Sequence, residues 1–351
     1  MENGRKTYEM LVTHYRKYPK MQIQDMFKFI YQSSHGCEHM ITSYETVKEY
    51  IDKEYKNVSS REEPLIDALD GNYSRVHLSY LNCGLASDTL AKLFYMSSKK
   101  EENAKTDLIS KIEILKELVS ENVIAFDKEN FEDELKKWEE QGFPAIHHSD
   151  DFRQEYKPSY RVIANEFVPF LLLLAKIDKS ENSLICIEGG SASGKTTLGG
   201  VLLRLYDCNM FHMDDFFLQK HQRTPERFCE AGGNIDHERF LKEVLLPLKK
   251  GETFTYQKFD CETMSLGEKV QVNPKKLNII EGAYSMHPNL EGYYDFSVYL
   301  DISEEKQKER INKRNSPDMA ERFFKEWIPL ENRYFEETDI KKRCNLIIEI
   351  K

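Results

Sequence analysis

The sequence predicts an α/β protein, in which a five-stranded parallel sheet with a helical lid follows a mostly α-helical amino-terminal domain. The first half of the chain spaces its apolar residues three and four apart, whereas the second half alternates short apolar runs with helical stretches. The chain, at 351 residues, is also too long for one ordinary domain. We therefore expect a helical domain at residues 1–180 and an α/β domain at residues 181–351.

The helical pattern of the first half is clearest at residues 107–119. One face of this predicted helix carries four apolar residues, Leu108, Ile112, Leu115 and Val119. Lys111 and Glu113 are expected to point away from that face. The pattern is interrupted at residues 178–183, where we place the domain boundary.

The second half contains short apolar runs that are typical of strands buried on both faces. The predicted strands are Leu184–Glu188, Asn209–His212, Leu277–Glu281, Phe296–Ile302 and Leu346–Ile350. Helical stretches such as Thr196–Tyr206 and Arg239–Leu248 separate them. This alternation predicts a parallel sheet covered by helices.

Composition narrows the function class. The formal charge of -10 argues against broad affinity for nucleic acid or an anionic membrane. The longest apolar run, Phe167–Ala175, is interrupted by Pro169 and is far shorter than the roughly 20 residues that span a bilayer. Seven scattered cysteines without a CxxC pair fit reduced thiols, so we expect a cytoplasmic protein. The sequence is compatible with a homo-oligomer.

A phosphate-binding loop follows the first predicted strand. Its residues fit GxxxxGK[ST] and are Gly189, Gly190, Ser191, Ala192, Ser193, Gly194, Lys195 and Thr196, followed by Thr197. Glycines allow backbone conformations in which successive N–H groups point at phosphate oxygens. The positive end of the following helix also attracts the phosphate. Lys195 is expected to bind the β and γ phosphates, and Thr196 to ligate Mg²⁺. The alternative is a chance glycine turn.

The residues beyond the loop narrow the class of P-loop protein. A GTPase needs NKxD and DxxG motifs, but the nearest string, Asn312–Asn315, lacks the Asp and no DxxG occurs beyond residue 195. The LSGGQ signature of transporter ATPases is missing too. A small-molecule kinase is the class that remains.

Asp214 and Asp215 come directly after the second predicted strand, in the string MDDFF. Ligands of open α/β sheets lie beyond the carboxyl ends of the strands, so Asp214 is expected to face the γ-phosphate. A carboxylate there can accept the proton of an attacking hydroxyl. Alternatively the acidic pair caps the next turn, a role that suits Asp215 better than Asp214.

Two further elements carry candidate residues. Glu281 ends an apolar strand and suits Mg²⁺, held directly or through water, although it could instead pair with a surface base. Arg310 and Arg314 share one face of a predicted helix, where they could reach the same ligand or simply be solvated.

Four strings occur in the order seen in the uridine kinase and phosphoribulokinase family: GGSASGKTT, MDDFF, NIDH and IIEG. The chain resembles that family over residues 184–351, and the DDFF string also looks like nicotinamide riboside kinase. The resemblance implies that Asp214 is the base and that Asp236 contacts sugar hydroxyls of the acceptor. It also implies that Glu281 lies near the metal, and that Arg310 and Arg314 belong to a lid over ATP. Without it, Asp236 could simply cap a helix.

The acceptor pocket departs from the family. Uridine kinases carry an aromatic residue and, a few residues later, a His that read the pyrimidine, whereas the string from Tyr256 to Thr263 contains no His. Uridine is therefore doubtful as the acceptor. Tyr256 and Phe259 could flank another ligand or belong to the core.

The first half of the chain resembles no family that we can name. His35, Cys37 and His39 could bind a metal together with His147, His148, Asp150 and Asp151, although helix capping or buried polar bridging is the commoner role of such residues. The string Tyr156–Arg161 predicts a turn that leads into a helix from Ile163, or a contribution to a ligand cleft. A regulatory, a second catalytic and a dimerisation role all stay open for this domain.

These observations together predict a kinase that uses ATP and Mg²⁺. Its expected partner is a small molecule with a hydroxyl group, nucleoside-like or otherwise sugar-bearing, and GTP is not excluded as donor. The alternative is an ATP-sensing regulatory protein whose amino-terminal domain engages a partner.

Overall fold

The computed structural model describes residues 2–37, 43–58, 64–69, 71–98, 102–181 and 183–350. The chain divides into an N-terminal unit, Met1–Lys179, and a C-terminal unit, Ser180–Lys351. Among the described residues, no helix is both apolar enough and long enough to cross a membrane.

The N-terminal unit combines helices with a small antiparallel sheet. Its helices are α1 (Glu2–Lys17), α2 (Ile23–His35), α3 (Tyr44–Tyr55), α4 (Ser87–Met96), α5 (Ala104–Ser120), α6 (Lys128–Glu140), α7 (Asp150–Tyr156) and α8 (Leu171–Asp178). Its strands are β1 (Ile66–Ala68), β2 (Tyr73–His77) and β3 (Tyr160–Ala164), in the order β1-β2-β3. Short 3₁₀ turns cover Leu78–Cys83 and Asn165–Phe170.

Two sequence-based expectations about this unit are wrong. The stretch after Tyr156 continues as strand β3 and a 3₁₀ turn, with no helix until Leu171, because Arg161 and Val162 pair with β2. Lys111 is 2% exposed and does not face solvent. Its amine lies 3.1 Å from the Ser33 hydroxyl and 2.6 Å from an Asp107 carboxylate oxygen, and these partners make its burial tolerable. The predicted apolar face of α5 is buried as expected.

The C-terminal unit is built on a five-stranded sheet. Its strands are β4 (Ser183–Glu188), β5 (Cys208–His212), β8 (Leu277–Glu281), β9 (Phe296–Ile302) and β10 (Leu346–Ile350), and the hairpin β6 (Phe254–Asp260) and β7 (Ser265–Val272) stands apart from that sheet. The sheet order is β10-β9-β4-β8-β5, with every pair parallel. The predicted strands are confirmed, with β4 and β5 beginning one residue early.

Helices join these strands. They are α9 (Lys195–Leu205), α10 (Pro225–Phe228), α11 (His237–Phe240), α12 (Leu246–Lys250), α13 (Glu304–Arg314), α14 (Pro317–Arg322), α15 (Ile328–Thr338) and α16 (Ile340–Arg343). Single π turns, Leu241–Leu245 and Phe323–Trp327, connect α11 to α12 and α14 to α15. Short 3₁₀ turns cover Met213–Phe216, Lys220–Gln222 and Glu291–Tyr293.

The sheet topology brings three loops to one edge. Strand β8 lies between β4 and β5, so the segments after β4, β8 and β5 emerge side by side at the carboxyl ends of parallel strands. Apolar residues of the sheet, the hairpin and the turn after β5, among them Phe211, Tyr256 and Phe216, form a buried core. This edge is where ligands bind in open α/β sheets.

Candidate active site

The loop between β4 and α9 adopts a conformation that requires its first and last glycine. Gly189 has φ +149°, and a Cβ there would lie 2.8 Å from the Leu300 carbonyl oxygen, too close for any side chain. Gly194 has φ +101° immediately before α9 begins, a region that disfavours other residues. Ala192 also has a positive φ, of +60°. The loop therefore turns tightly from a buried strand into a helix N-terminus.

The polar groups of the loop suit an anion. Lys195 Nζ donates to the carbonyl oxygens of Gly189 and Gly190, at 2.8 and 2.9 Å. The buried Ser193 hydroxyl has no hydrogen-bond partner among the described residues. Thr196 and Thr197 lie on the first turn of α9, whose free N–H groups attract negative charge. An ammonium and the N-terminus of a helix of 11 residues are the components of a phosphate cradle.

A carboxylate and a hydroxyl meet beside the loop. Thr196 Oγ1 lies 3.4 Å from Glu281 Oε1, at the end of β8. His212 Nδ1 is 2.6 Å from the same carboxylate oxygen, because β5 and β8 pair His212 with Glu281 in register. That hydrogen bond raises the pKa of His212. Hydroxyl and carboxylate oxygens are ligands that Mg²⁺ accepts, so these residues fit the metal.

Asp214 stands just past β5, on the 3₁₀ turn Met213–Phe216. Its side chain reaches solvent, but the surrounding protein partly desolvates the carboxyl group, and this desolvation raises the pKa of Asp214. The positive charge of Lys195 acts in the opposite direction. The capping alternative for the acidic pair does not hold, because His212 occupies the N-cap of this turn and no side chain caps it. The Asp215 carboxylate instead accepts from Tyr256 Oη at 3.5 Å.

Glu188, at the end of β4, is a buried acid of this site that was not predicted from the sequence. Its two carboxylate oxygens accept from the N–H groups of Gly189 and Met286, at 2.8 and 2.9 Å, and the Tyr334 hydroxyl donates at 3.1 Å. Burial raises the pKa of Glu188 to about 7. The signal was present in the sequence, since Glu188 ends an apolar strand as Glu281 does.

Glu331, on α15, is a second buried acid that the sequence did not indicate. It accepts from the Ser191 N–H at 2.8 Å and from the Ser191 hydroxyl at 2.6 Å. Burial raises the pKa of Glu331, and Lys195 opposes that shift. These contacts join residues 140 positions apart, so no local pattern could have revealed them.

Helix α13 contacts the loop from another direction. Gln307 Nε2 donates to the Ser191 carbonyl at 2.9 Å, and Arg310 Nη1 donates to the Ala192 carbonyl at 3.1 Å. Arg314 is exposed, and its guanidinium lies 5.3 Å from the centre of the Phe323 ring. Of the two predicted lid arginines, the structure therefore brings only Arg310 to the loop.

The predicted acceptor residues lie on the β5 side of the sheet. Asp236 caps α11 by accepting from the Arg239 N–H at 3.0 Å, and it accepts from Gln222 Nε2 at 2.9 Å. The capping role that the sequence left open is therefore present. Tyr256 is 4% exposed and belongs to the aromatic core with Phe211 and Phe216.

Two of the proposed metal residues of the N-terminal unit, His148 and Cys37, have other partners. His148 is hydrogen-bonded to Asp25 at 3.0 Å and to the Tyr160 hydroxyl at 2.8 Å. The Cys37 thiol is buried, 3.4 Å from the Phe94 carbonyl oxygen. His39 lies outside the described residues. Within the described ranges, no three His, Cys, Asp or Glu side chains are placed to hold a metal.

The sheet order and the loop decide the fold of the C-terminal unit. It is a parallel α/β fold with a P-loop after its first strand. No family model and no curated protein matches the chain. Solved structures match about half of it.

One of the matching structures is described as a possible uridine kinase from Bacillus stearothermophilus, 23% identical, covering 52% of this chain and 96% of its own, with a TM-score of 0.40. Another is a proposed fructose transport system kinase from Silicibacter sp. TM1040, 20% identical, covering 48% and 89%, with a TM-score of 0.39. A third, TT1252 from Thermus thermophilus, is 18% identical and covers 49% and 90%, with a TM-score of 0.27. The descriptions of the first two name kinases.

Proposed function

We propose that the C-terminal unit is an ATP- and Mg²⁺-dependent kinase, which transfers the γ-phosphoryl group to a hydroxyl of a nucleoside-like or other sugar-bearing molecule. The observation that carries this proposal is the position of Asp214. A free carboxylate past the end of β5 shares the sheet edge with the Lys195 loop, with β8 between them. A protein that only sensed ATP would need no acid there.

Each neighbouring residue has a role in this reaction. Lys195 leaves the Gly189 and Gly190 carbonyls and binds the phosphates, together with the loop N–H groups. Thr196 and Glu281 would hold Mg²⁺, which when bound neutralises charge on the phosphate oxygens. Arg310 is already at the loop, where its guanidinium can stabilise charge that develops on the transferred group.

Asp214 is proposed as the general base. It accepts the proton of the acceptor hydroxyl as the oxygen attacks the γ-phosphorus and the bond to the leaving ADP oxygen breaks. Burial raises its pKa, which makes it a stronger proton acceptor than an unperturbed Asp, and the charge of Lys195 opposes that shift. Asp236 and Tyr256, which lie on the acceptor side, are proposed to shape the pocket for the sugar-bearing molecule.

The first experiment is a screen for the acceptor, in which nucleosides, ribosides, vitamins and sugar phosphates are tested for acceptor-dependent ADP release. Asp214→Asn is then expected to lower kcat by about 10²- to 10⁴-fold, because it removes the base while keeping its shape. Asp207→Asn is the matched control, since Asp207 precedes the same strand at its opposite end and its side chain is 87% exposed. Equal kcat values for the two variants would contradict the assignment of the base.

The sensing alternative makes a different prediction in the same screen. ATP loss that no small acceptor accelerates, together with binding of a partner that changes with nucleotide, would favour a regulatory protein over a kinase. Partner binding is measured on the full chain with and without ATP and Mg²⁺.

A further inference from the structure

The turn that carries Asp214 needs support from outside itself. It is a 3₁₀ turn of four residues, Met213–Phe216, and no side chain caps its beginning. Hydrogen bonds in such turns have poorer geometry than those of an α-helix, so a short 3₁₀ turn holds its own backbone weakly. The position of the Asp214 carboxylate therefore depends on the residues that hold the backbone of this turn.

Arg239, on α11, contacts the two residues that directly follow Asp214. Its Nη2 donates to the carbonyl oxygen of Asp215 at 2.9 Å. Its guanidinium carbon lies 4.2 Å from the centre of the Phe216 ring. The Arg239 side chain is 9% exposed, so little water competes for these contacts. The guanidinium thus fixes the turn from the side of α11.

The same guanidinium reaches the hairpin and Asp236. Arg239 Nη1 donates to the carbonyl oxygen of Gln257, which follows Tyr256 on β6, at 2.5 Å. Arg239 Nε lies 3.5 Å from Asp236 Oδ2. One side chain therefore joins the turn after β5, the hairpin and Asp236, which all belong to the proposed acceptor side of the site.

Neighbouring groups hold Arg239 and the turn in this arrangement. The Asp236 N–H donates to the Phe216 carbonyl oxygen at 2.8 Å, so two successive carbonyls of the turn accept from the start of α11. Glu243 Oε2 accepts from Arg239 Nη1 at 3.3 Å and from the Gln257 N–H at 3.2 Å. The carboxylates of Asp236 and Glu243 also supply the negative charge that a nearly buried guanidinium requires.

Stability alone does not explain an arginine at this position. An apolar side chain could also cover Phe216, and exchanging buried ion pairs for apolar residues often leaves stability unchanged or improved. What an apolar residue lacks is the rigid fork of a guanidinium, whose donors point in fixed directions. Here those donors point at the carbonyls of Asp215 and Gln257.

We propose that Arg239 is a positioning residue, which holds the Asp214 turn in place relative to the hairpin and Asp236 and so directs the Asp214 carboxylate at the acceptor hydroxyl. This inference rests on the proposed role of Asp214 as the base. A base must come within hydrogen-bond reach of the proton that it accepts, and a misplacement of about 1 Å can cost about 10²-fold in rate. Arg239 acts through the backbone of the turn.

Arg239→Lys tests the proposal, with the acceptor that the screen identifies. The variant keeps the charge but loses the fork, so a single amine cannot hold the carbonyls of Asp215 and Gln257 with the same geometry. We expect kcat to fall by about ten- to 100-fold while KM for ATP stays within about twofold, because Arg239 does not contact the phosphate loop. Arg204→Met, which removes an exposed arginine from the last turn of α9, is the control and should leave both constants unchanged.

A double-mutant cycle separates positioning of the base from general support of the fold. In the chain that already carries Asp214→Asn, Arg239→Lys is expected to lower the remaining kcat by less than about threefold, since no base is left to position. The same fold-loss in both backgrounds would overturn the proposal, as would a kcat of Arg239→Lys within about twofold of the unchanged chain. Unchanged kcat in Asp214→Asn alone would contradict the proposed base itself, so the two failures are distinguishable.

Arg239→Gln is measured in parallel, because it keeps two N–H donors without the charge. Circular dichroism and urea unfolding of each variant show whether it is folded under the assay conditions. Each folded variant is expected to show the loss of kcat and its near disappearance in the Asp214→Asn background. A folded variant that is less stable in urea but keeps the kcat of the unchanged chain would show that Arg239 only supports the fold, and would overturn the proposal.

Discussion

The two units bury charge of opposite sign. Around the phosphate loop three buried acids, Glu188, Glu281 and Glu331, accompany Lys195 and Arg310, whereas the N-terminal unit buries the cations Lys28 and Arg75 together with the acid Asp25. A buried charge is stable only when something neutralises or solvates it. The comparison teaches that buried ionisable groups are held by different partners in the two units: backbone N–H groups at Glu188, and an amide oxygen and an aromatic ring at Arg75.

After Asp214→Asn, the largest effect on activity is expected from removing the positive charge of the loop lysine. Lys195→Met removes the loop lysine, and kcat/KM for ATP is expected to fall by about 10²- to 10³-fold, the usual loss for one preorganised charged donor. Steady-state kinetics with the identified acceptor measure this. Lys250→Met, an exposed lysine of the same unit, serves as control. Activity within a few fold of the unchanged chain would contradict the loop assignment.

Glu188 gives the next largest effect, as a dependence of stability on pH. Burial raises its pKa from 4.5 to about 7, so folding favours the protonated acid. The stability that this provides is fully present below pH 4.5 and is lost as pH rises through about 7. The loss amounts to about 2–4 kcal/mol.

Urea unfolding of the unchanged chain and of Glu188→Gln, measured from pH 5 to pH 8, isolates the contribution of Glu188 to the free energy of unfolding. The free energy of unfolding of the Gln chain is expected to fall less steeply with pH. Glu336→Gln, an exposed acid on α15, should reproduce the steeper curve. Parallel curves for all three chains would show that Glu188 is not protonated by folding.

Arg310 and Arg314 are close in sequence, but only Arg310 contacts the loop, so the two arginines are expected to differ in their effect on activity. Arg310→Ala is expected to lower kcat/KM by about ten- to 100-fold, because a hydrogen bond that involves a charged group contributes about 1.5–3 kcal/mol. Arg314→Ala should remain within about twofold, since an exposed guanidinium over Phe323 contributes little. Kinetics of both variants measure this, and equal losses would mean that the helix moves as ATP binds.

The smallest effect is expected at Glu331. Glu331→Gln keeps one acceptor for Ser191 but loses the charge, so the free energy of unfolding should fall by about 1–2 kcal/mol, with a higher KM for ATP and a less affected kcat. Glu336→Gln again serves as control. A loss confined to kcat would indicate contact with the transferred group rather than support of the loop.

The sequence predicted the C-terminal unit well because its signals are local. A buried strand is a run of apolar residues, and the loop after β4 is eight consecutive residues. In the N-terminal unit, strand β2 carries the buried Arg75 and His77, which a sequence pattern would assign to the surface. In the same unit His148 contacts Asp25 and Arg75 contacts Gln32, and in the C-terminal unit Glu331 contacts Ser191 across a similar separation in sequence. Such contacts depend on tertiary folding and leave no local trace.

The sheet order has one further consequence. Since β8 separates β4 from β5, and neighbouring strands lie about 4.8 Å apart, the segments that begin at Gly189 and Met213 start about 10 Å from each other. The backbone of the sheet sets this distance, which leaves room for one phosphoryl group between the attacking and the leaving oxygen. Substitutions in the hairpin and its surroundings could change which alcohol is accepted, while the distance between these two segments stays the same.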